Sequence, residues 1–336
     1  MSKKPQSTEY TYASARVRAL ETGLVGRERM RQLADAASMD ELYARLAEYG
    51  VEPVRDENGS VQIEPTLCGM LKHTLTDLLD GAPVPELFDF LRYPYDCHNI
   101  KSAIKCHLRG LSAESMLFDL GVASPGEVAK MPVTGNYAAL PTELAKAAPL
   151  AMQAYEKTGN PRAIDLILDK ACFADMMRCA RESGVDYHVQ LIRAQIDLTN
   201  LMICLRLVRM QAGEQGAMLL EQALIEGGTL STSALQAAYP EGESALLYLL
   251  NRTPYEKLAR GITESDGTAA AAERLADDFR MELISTAKQV TFGAPVLTAY
   301  FYAQEYAVKN IRIVIAAKSA GLSPEIIHER IRTSYV

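Results

Sequence analysis

The chain has 336 residues, 48% hydrophobic and 23% charged, with a formal charge of −7 and a pI near 5.4. Neutralising a phosphate backbone needs a concentrated positive face, so this acidic balance argues against nucleic acid as a partner. No apolar run approaches the roughly 18 residues that span a bilayer, which argues against direct membrane insertion. The start, MSKKPQSTEY, has two lysines with no apolar core behind them and does not read as a signal peptide, so the expected location is cytoplasmic.

Taken in chain order, the first predicted helix covers about 8–24, with Ser7 or Thr8 as its cap and Ala13, Val17, Leu20 and Leu24 as its apolar stripe. Arg18 lies off that stripe and can pair with Glu21. The stretch VEPVRDENGS (51–60) breaks the pattern, with a tight turn expected at Asn58-Gly59. Further helices are predicted near 66–80, 84–92, 95–109, 161–183, 186–211, 268–290 and 296–319, punctuated by Gly and Pro. Only short segments such as 60–64 could be strands, and no βαβ alternation is present. Leu, Ala, Met, Glu, Arg and Lys are abundant and Trp is absent, a composition that favours helix. The fold class expected is all-α.

An internal repeat organises these helices. YDCHNIKSAIKCHLRGLSAE (95–114) matches YAVKNIRIVIAAKSAGLSPE (306–325) without a gap, setting Asn99 on Asn310 and Lys101 on Arg312. DLTNLMICLRLVRM (197–210) is a third copy, placing Asn200 beside Asn99 and Asp197 beside Asp96. Upstream, a short helix start recurs as MDELYARL (39–46), PTELAKAA (141–148) and PYEKLARG (254–261), and GVASPGEVA (121–129) resembles GTLSTSALQ (228–236). Three helical domains follow, 1–120, 121–228 and 229–336. Such units are far longer than the 20–50 residues of common solenoid repeats.

The residues offer little chemistry. Neither GxxxxGK[ST] nor a strand-to-helix GxGxxG occurs, so no nucleotide or other cofactor is expected. Cys97-His98 and Cys106-His107 sit nine residues apart on one predicted helix, on opposite sides of its axis, whereas ligands sharing an ion must be three or four apart. They read as packed or exposed side chains, and the six cysteines as reduced apolar residues. Asp165, Asp169, Asp277 and Asp278 could form a magnesium-binding carboxylate cluster of an all-helical enzyme, but neighbouring cations favour solvated ion pairs. Tyr300, Phe301, Tyr302 and Tyr306 read first as core and second as a partner-binding patch. No catalytic, cofactor or metal residue is assigned. The positions singled out are structural: Asp96, Asn99, Lys101, Asp197, Asn200, Asn310 and Arg312. Three buried amides at one repeat position are expected to tie their helices to the backbone of a neighbouring loop.

YTYASARVRALE (10–21), the helix of 96–101 and EYAVKNIRIVIAAK (305–318) carry a resemblance. In these stretches and in their order, the chain resembles the C subunit of archaeal and bacterial V/A-type ATPases, the counterpart of the d subunit of eukaryotic V-ATPases. The third copy departs from the pattern, with Ala307 in place of the aspartate. The resemblance implies three similar helical domains closed into a pseudo-threefold funnel, without catalytic residues. It also implies a rotor role that couples the central shaft (the D and F subunits) to the membrane proteolipid ring, in ATP-driven ion transport or ATP synthesis. The competing readings are a helical scaffold or adaptor unrelated to rotary ATPases, and a helical enzyme with a carboxylate metal site.

Overall fold

The computed structural model describes residues 5–336, and these fold as an all-α protein. Among them the only extended pairing is the bridge Arg55–Val61, which closes the turn at Asn58-Gly59.

The helices fall into two compact units, one comprising the chain up to residue 85 together with 277 onward, the other residues 86–276. In the first lie α1 (Thr11–Leu20), α2 (Arg27–Asp35), α3 (Met39–Glu48) and α4 (Ile63–Gly81). The second contains α5 (Tyr93–His107), α6 (Pro125–Thr134), α7 (Thr142–Thr158), α8 (Arg162–Ser183) and α9 (Asp186–Arg209). It continues through α10 (Gly213–Ala223), α11 (Thr232–Ala238), α12 (Glu243–Tyr248) and α13 (Glu256–Glu264). The division falls within α14 (Ala269–Ser285), and α15 (Ala294–Ser319) and α16 (Pro324–Arg330) belong to the first unit.

The core of the first unit is α15. It buries Val296, Leu297, Thr298, Ala299 and Phe301 completely, on all sides of its axis, as a helix surrounded by neighbours must. Helices α1, α2, α3, α4 and α16 pack against it. Its start needs Gly293, whose φ of 144° disfavours other residues and whose N–H donates to the buried Ser14 hydroxyl (3.0 Å). In the second unit α7, α5 and α9 all pack on α8. Ile100 and Ile104 of α5 are fully buried, and each such side chain contributes roughly 1.5–3 kcal/mol.

Two local expectations change. The first α-helix is shorter than 8–24, because 3₁₀ turns flank it at Ser7–Tyr10 and Glu21–Gly23. The capping box is made by Gln6 with Glu9 rather than by Ser7 or Thr8, while Arg18 does pair with Glu21 (2.8 Å). Residues 84–92 wind as a 3₁₀ segment, Pro85–Leu91, not an α-helix. Its i,i+3 stacking sets Phe88 over Leu91, and both are buried.

Candidate functional site

The asparagines make one repeated arrangement. Asn99 on α5 donates from Nδ2 to the Phe118 carbonyl (2.8 Å) and accepts the Phe118 N–H at Oδ1 (2.8 Å). Asn200 on α9 does the same with Ile225 (2.7 and 2.9 Å), and Asn310 on α15 with Arg332 (3.0 and 2.8 Å). All three asparagines are 0% exposed. An amide carries both a donor and an acceptor, so it satisfies both backbone polar groups of one residue in the loop that returns along its helix.

Two of the three latches are doubled by an aspartate. Buried Asp96 accepts the Val122 and Ala123 N–H groups (2.9 and 3.0 Å), just ahead of Ser124, which caps α6. Buried Asp197 accepts the Thr229 and Leu230 N–H groups (2.9 Å each), just ahead of Ser231, which caps α11, and also the Tyr255 hydroxyl (2.7 Å). Burial pushes Asp96 up to about 6 despite the two N–H groups that favour its anion. Each aspartate comes so close to the residue before its donors, Gly121 or Gly228, that a methyl group there would overlap Oδ1. At Ala307 no such carboxylate exists; four residues beyond Arg332, the Val336 carbonyl instead accepts the Arg27 N–H (3.0 Å) at the start of α2.

A family profile described as "ATP synthase (C/AC39) subunit" matches residues 13–330. The chain belongs to that family. It is 26% identical over 330 residues to the C subunit of the V-type sodium ATPase of Enterococcus hirae, covering 97% of this chain and 99% of that protein. The C subunit of the A-type ATP synthase of Methanocaldococcus jannaschii is 25% identical over 342 residues, covering 95% of this chain and 85% of that protein. A third relative, the corresponding A-type ATP synthase protein of Haloferax volcanii, is 26% identical over 338 residues, with 94% and 95% covered. Membership of the C/AC39 family makes the chain a subunit of a V/A-type ATPase.

In this C/AC39 subunit, three of the four carboxylates that could have held magnesium pair with cations instead. Asp169 pairs with Lys101 (2.5 Å) and Asp165 with Lys105 (2.6 Å), joining α8 to α5. Asp277 pairs with Lys309 (2.6 Å) and Arg332 (3.1 Å), and Asp278 accepts the Thr333 N–H (2.7 Å). Further cations on the asparagine-bearing helices also reach across to neighbouring helices, Arg206 of α9 to Glu273 of α14 (2.8 Å) and Arg312 of α15 to Glu64 of α4 (2.8 Å). Tyr300, Phe301, Tyr302 and Tyr306 are all buried, with the Arg280 guanidinium over the Tyr302 ring (4.7 Å). Among the described residues no helix is long and apolar enough to cross a membrane.

Sequence reasoning missed Asp175. Buried on α8, it accepts the Glu143 and Leu144 N–H groups (2.9 Å each) and pairs with Arg178 (3.0 Å). It caps α7 from another helix, since Pro141 at the N-cap position has no side-chain oxygen. His188 is likewise fully buried, with Nδ1 3.0 Å from the Ser183 hydroxyl and its ring against Phe88 and Phe90. Burial pushes it down to about 3.

Proposed function

We propose that the chain is the non-catalytic rotor subunit that couples the central shaft to the membrane proteolipid ring of a V/A-type rotary ATPase. The observation that carries this reading is the family match over residues 13–330, alongside relatives named as C subunits of a V-type sodium ATPase and of A-type ATP synthases. The protein sits on the cytoplasmic side, held to the membrane through its complex. It binds shaft subunits of the D and F type on one face and the ring on another. Coupling of this kind asks for rigidity in the joint rather than for reactive groups, and the buried amide latches supply rigidity.

The body consists of three similar domains, 1–120, 121–228 and 229–336. Asp96, Asn99 and Lys101 occupy the equivalent positions of the first, Asp197 and Asn200 of the second, Asn310 and Arg312 of the third. The repeated latch supports this: each asparagine makes the same two bonds to a loop 19–25 residues downstream.

Purifying the tagged chain from mildly solubilised membranes, with the accompanying subunits identified by mass, tests the assignment. Shaft and ring subunits should copurify in fixed ratio. Recovery with neither would overturn it.

A further inference from the structure

A groove of about 490 Å³ runs along α8 in the second unit, bounded on its other side by the loop that follows α10, residues 224–227. Its lining is largely apolar, from Phe173, Ala174 and Met177 of α8 with Leu224 and Ile225 of the loop. The loop wall is fixed in place. Asn200 holds both backbone polar groups of Ile225 (2.7 and 2.9 Å), and Asp197 accepts the Thr229 N–H just beyond (2.9 Å). The groove is therefore formed before anything enters it, and an occupant does not have to order that loop. Charge sits at its two ends. Of the carboxylates in the wall, Glu182 is held by Arg178 (3.2 Å), which also pairs with buried Asp175 (3.0 Å), and Glu226 accepts the Thr232 hydroxyl (2.6 Å). Lys170 and Arg181, also in the wall, are exposed and pair with no carboxylate among the described residues. They stand eleven residues apart on one helix, on the same side of it and roughly 16 Å apart along its axis. In a chain of formal charge −7 this is a local reversal of sign.

We propose that this groove docks an amphipathic helix of another subunit, one whose apolar stripe is flanked by carboxylates about three turns apart. A helix laid along α8 presents its own residues i and i+11 on one face at the same spacing of roughly 16 Å. One carboxylate then meets Lys170 and the other Arg181, while the apolar side chains between them enter the groove. The two-ended charge selects the occupant. A lipid carries its anionic group at one end of its apolar part and leaves the second cation unmatched. An extended strand covers the distance in about five residues and turns alternate side chains away from the floor. The groove needs a neighbouring subunit, which membership of a V/A-type ATPase provides, and it does not depend on the coupling role.

Photocrosslinking in the intact complex, extracted from membranes with mild detergent, decides the matter. A benzoylphenylalanine replaces Ala174, which is exposed in the groove wall between Lys170 and Arg181; the complex is irradiated, digested and weighed. The crosslink should join the chain to one other subunit, within a helical segment that has Asp or Glu on both sides of an apolar stripe. Lys170→Glu combined with Arg181→Glu should cut its yield about fivefold or more, and Lys170→Arg combined with Arg181→Lys should keep it. Both side chains are exposed and unpaired, so the reversed protein should melt within about 2 °C of the unmodified chain. If it melts lower, Lys170→Gln with Arg181→Gln replaces it, and the yield should then fall about twofold or more. A matching helix on a subunit that belongs to neither shaft nor ring supports the groove and counts against the coupling role. No crosslink, crosslinks confined to lipid or to a second copy of this chain, a partner segment without carboxylates, or a yield unchanged by loss of the two charges overturns the proposal.

Discussion

Asn200 shows what one side chain does in this structure. Its amide closes both backbone hydrogen-bonding groups of Ile225 in a place water does not reach. Replacing it with alanine leaves a buried N–H and a buried C=O unpaired, a loss of about 2–4 kcal/mol of stability. Asn99→Ala should cost a similar amount at Phe118. By contrast, Arg312→Ala removes a pair with both side chains about half exposed, and should cost no more than about 1 kcal/mol. Urea unfolding of the three variants separates the two classes; equal losses would mean the amides are not structural latches. The asparagines were legible in the sequence because the repeat marks them and a buried amide must find partners. Gly121 and Gly228 were not, since what forbids a side chain there is a carboxylate lying 25 or 31 residues earlier in the chain.

His188 makes a pH-dependent contribution at the same scale. Its folded value of about 3 lies below its ordinary 6.5, so between those values the unfolded chain binds more protons than the native one. Stability therefore rises with pH through this window and is lost as pH falls from 6.5 toward 3, by roughly 3–5 kcal/mol in all. His188→Gln cannot take up the proton. The difference between the two proteins' unfolding free energies cancels other groups, and it should shrink steadily as pH is lowered from 7 to 4. A pH-independent difference would show that His188 does not stay neutral when buried.

Among the elements, α7 depends on a cap it does not own. Asp175 reaches its first turn from α8, where an acidic group also meets the positive end of the helix. Asp175→Asn keeps the shape but loses the charge and one acceptor, so the first turn of α7 should fray. The amide hydrogens of Glu143 and Leu144 should exchange about 10-fold faster or more, a loss of about 1–2 kcal/mol, while α9 amides keep their rates. Unchanged exchange at both positions would mean the cap is redundant. A cap such as Ser124 with Glu127 has both partners within one turn. A cap supplied from 31 or 32 residues away carries no local pattern. The long helices were legible for the opposite reason. Runs such as 294–319 are apolar over many turns and bounded by Gly and Pro, whereas residues 84–92 could not be told from α-helix by periodicity alone.

For the whole molecule, the proposed role rests on the family to which the chain belongs. The buried polar groups described above are spent on holding loops to helices, and the carboxylates at 165, 169 and 277 are matched by lysine and arginine. A protein that transmits torque must bind two partners over broad surfaces, where stable interfaces bury roughly 1,200–2,000 Å² and single exposed residues count for little. Removing it should therefore affect coupling rather than catalysis. The most direct measurement compares ATP hydrolysis and ion transport in the same membrane-embedded complex, with the protein present and with it removed. Without it, the soluble head should keep hydrolysing ATP, ion transport should stop, and hydrolysis should become insensitive to reagents that block the ring. Full ion transport in its absence would contradict the coupling role.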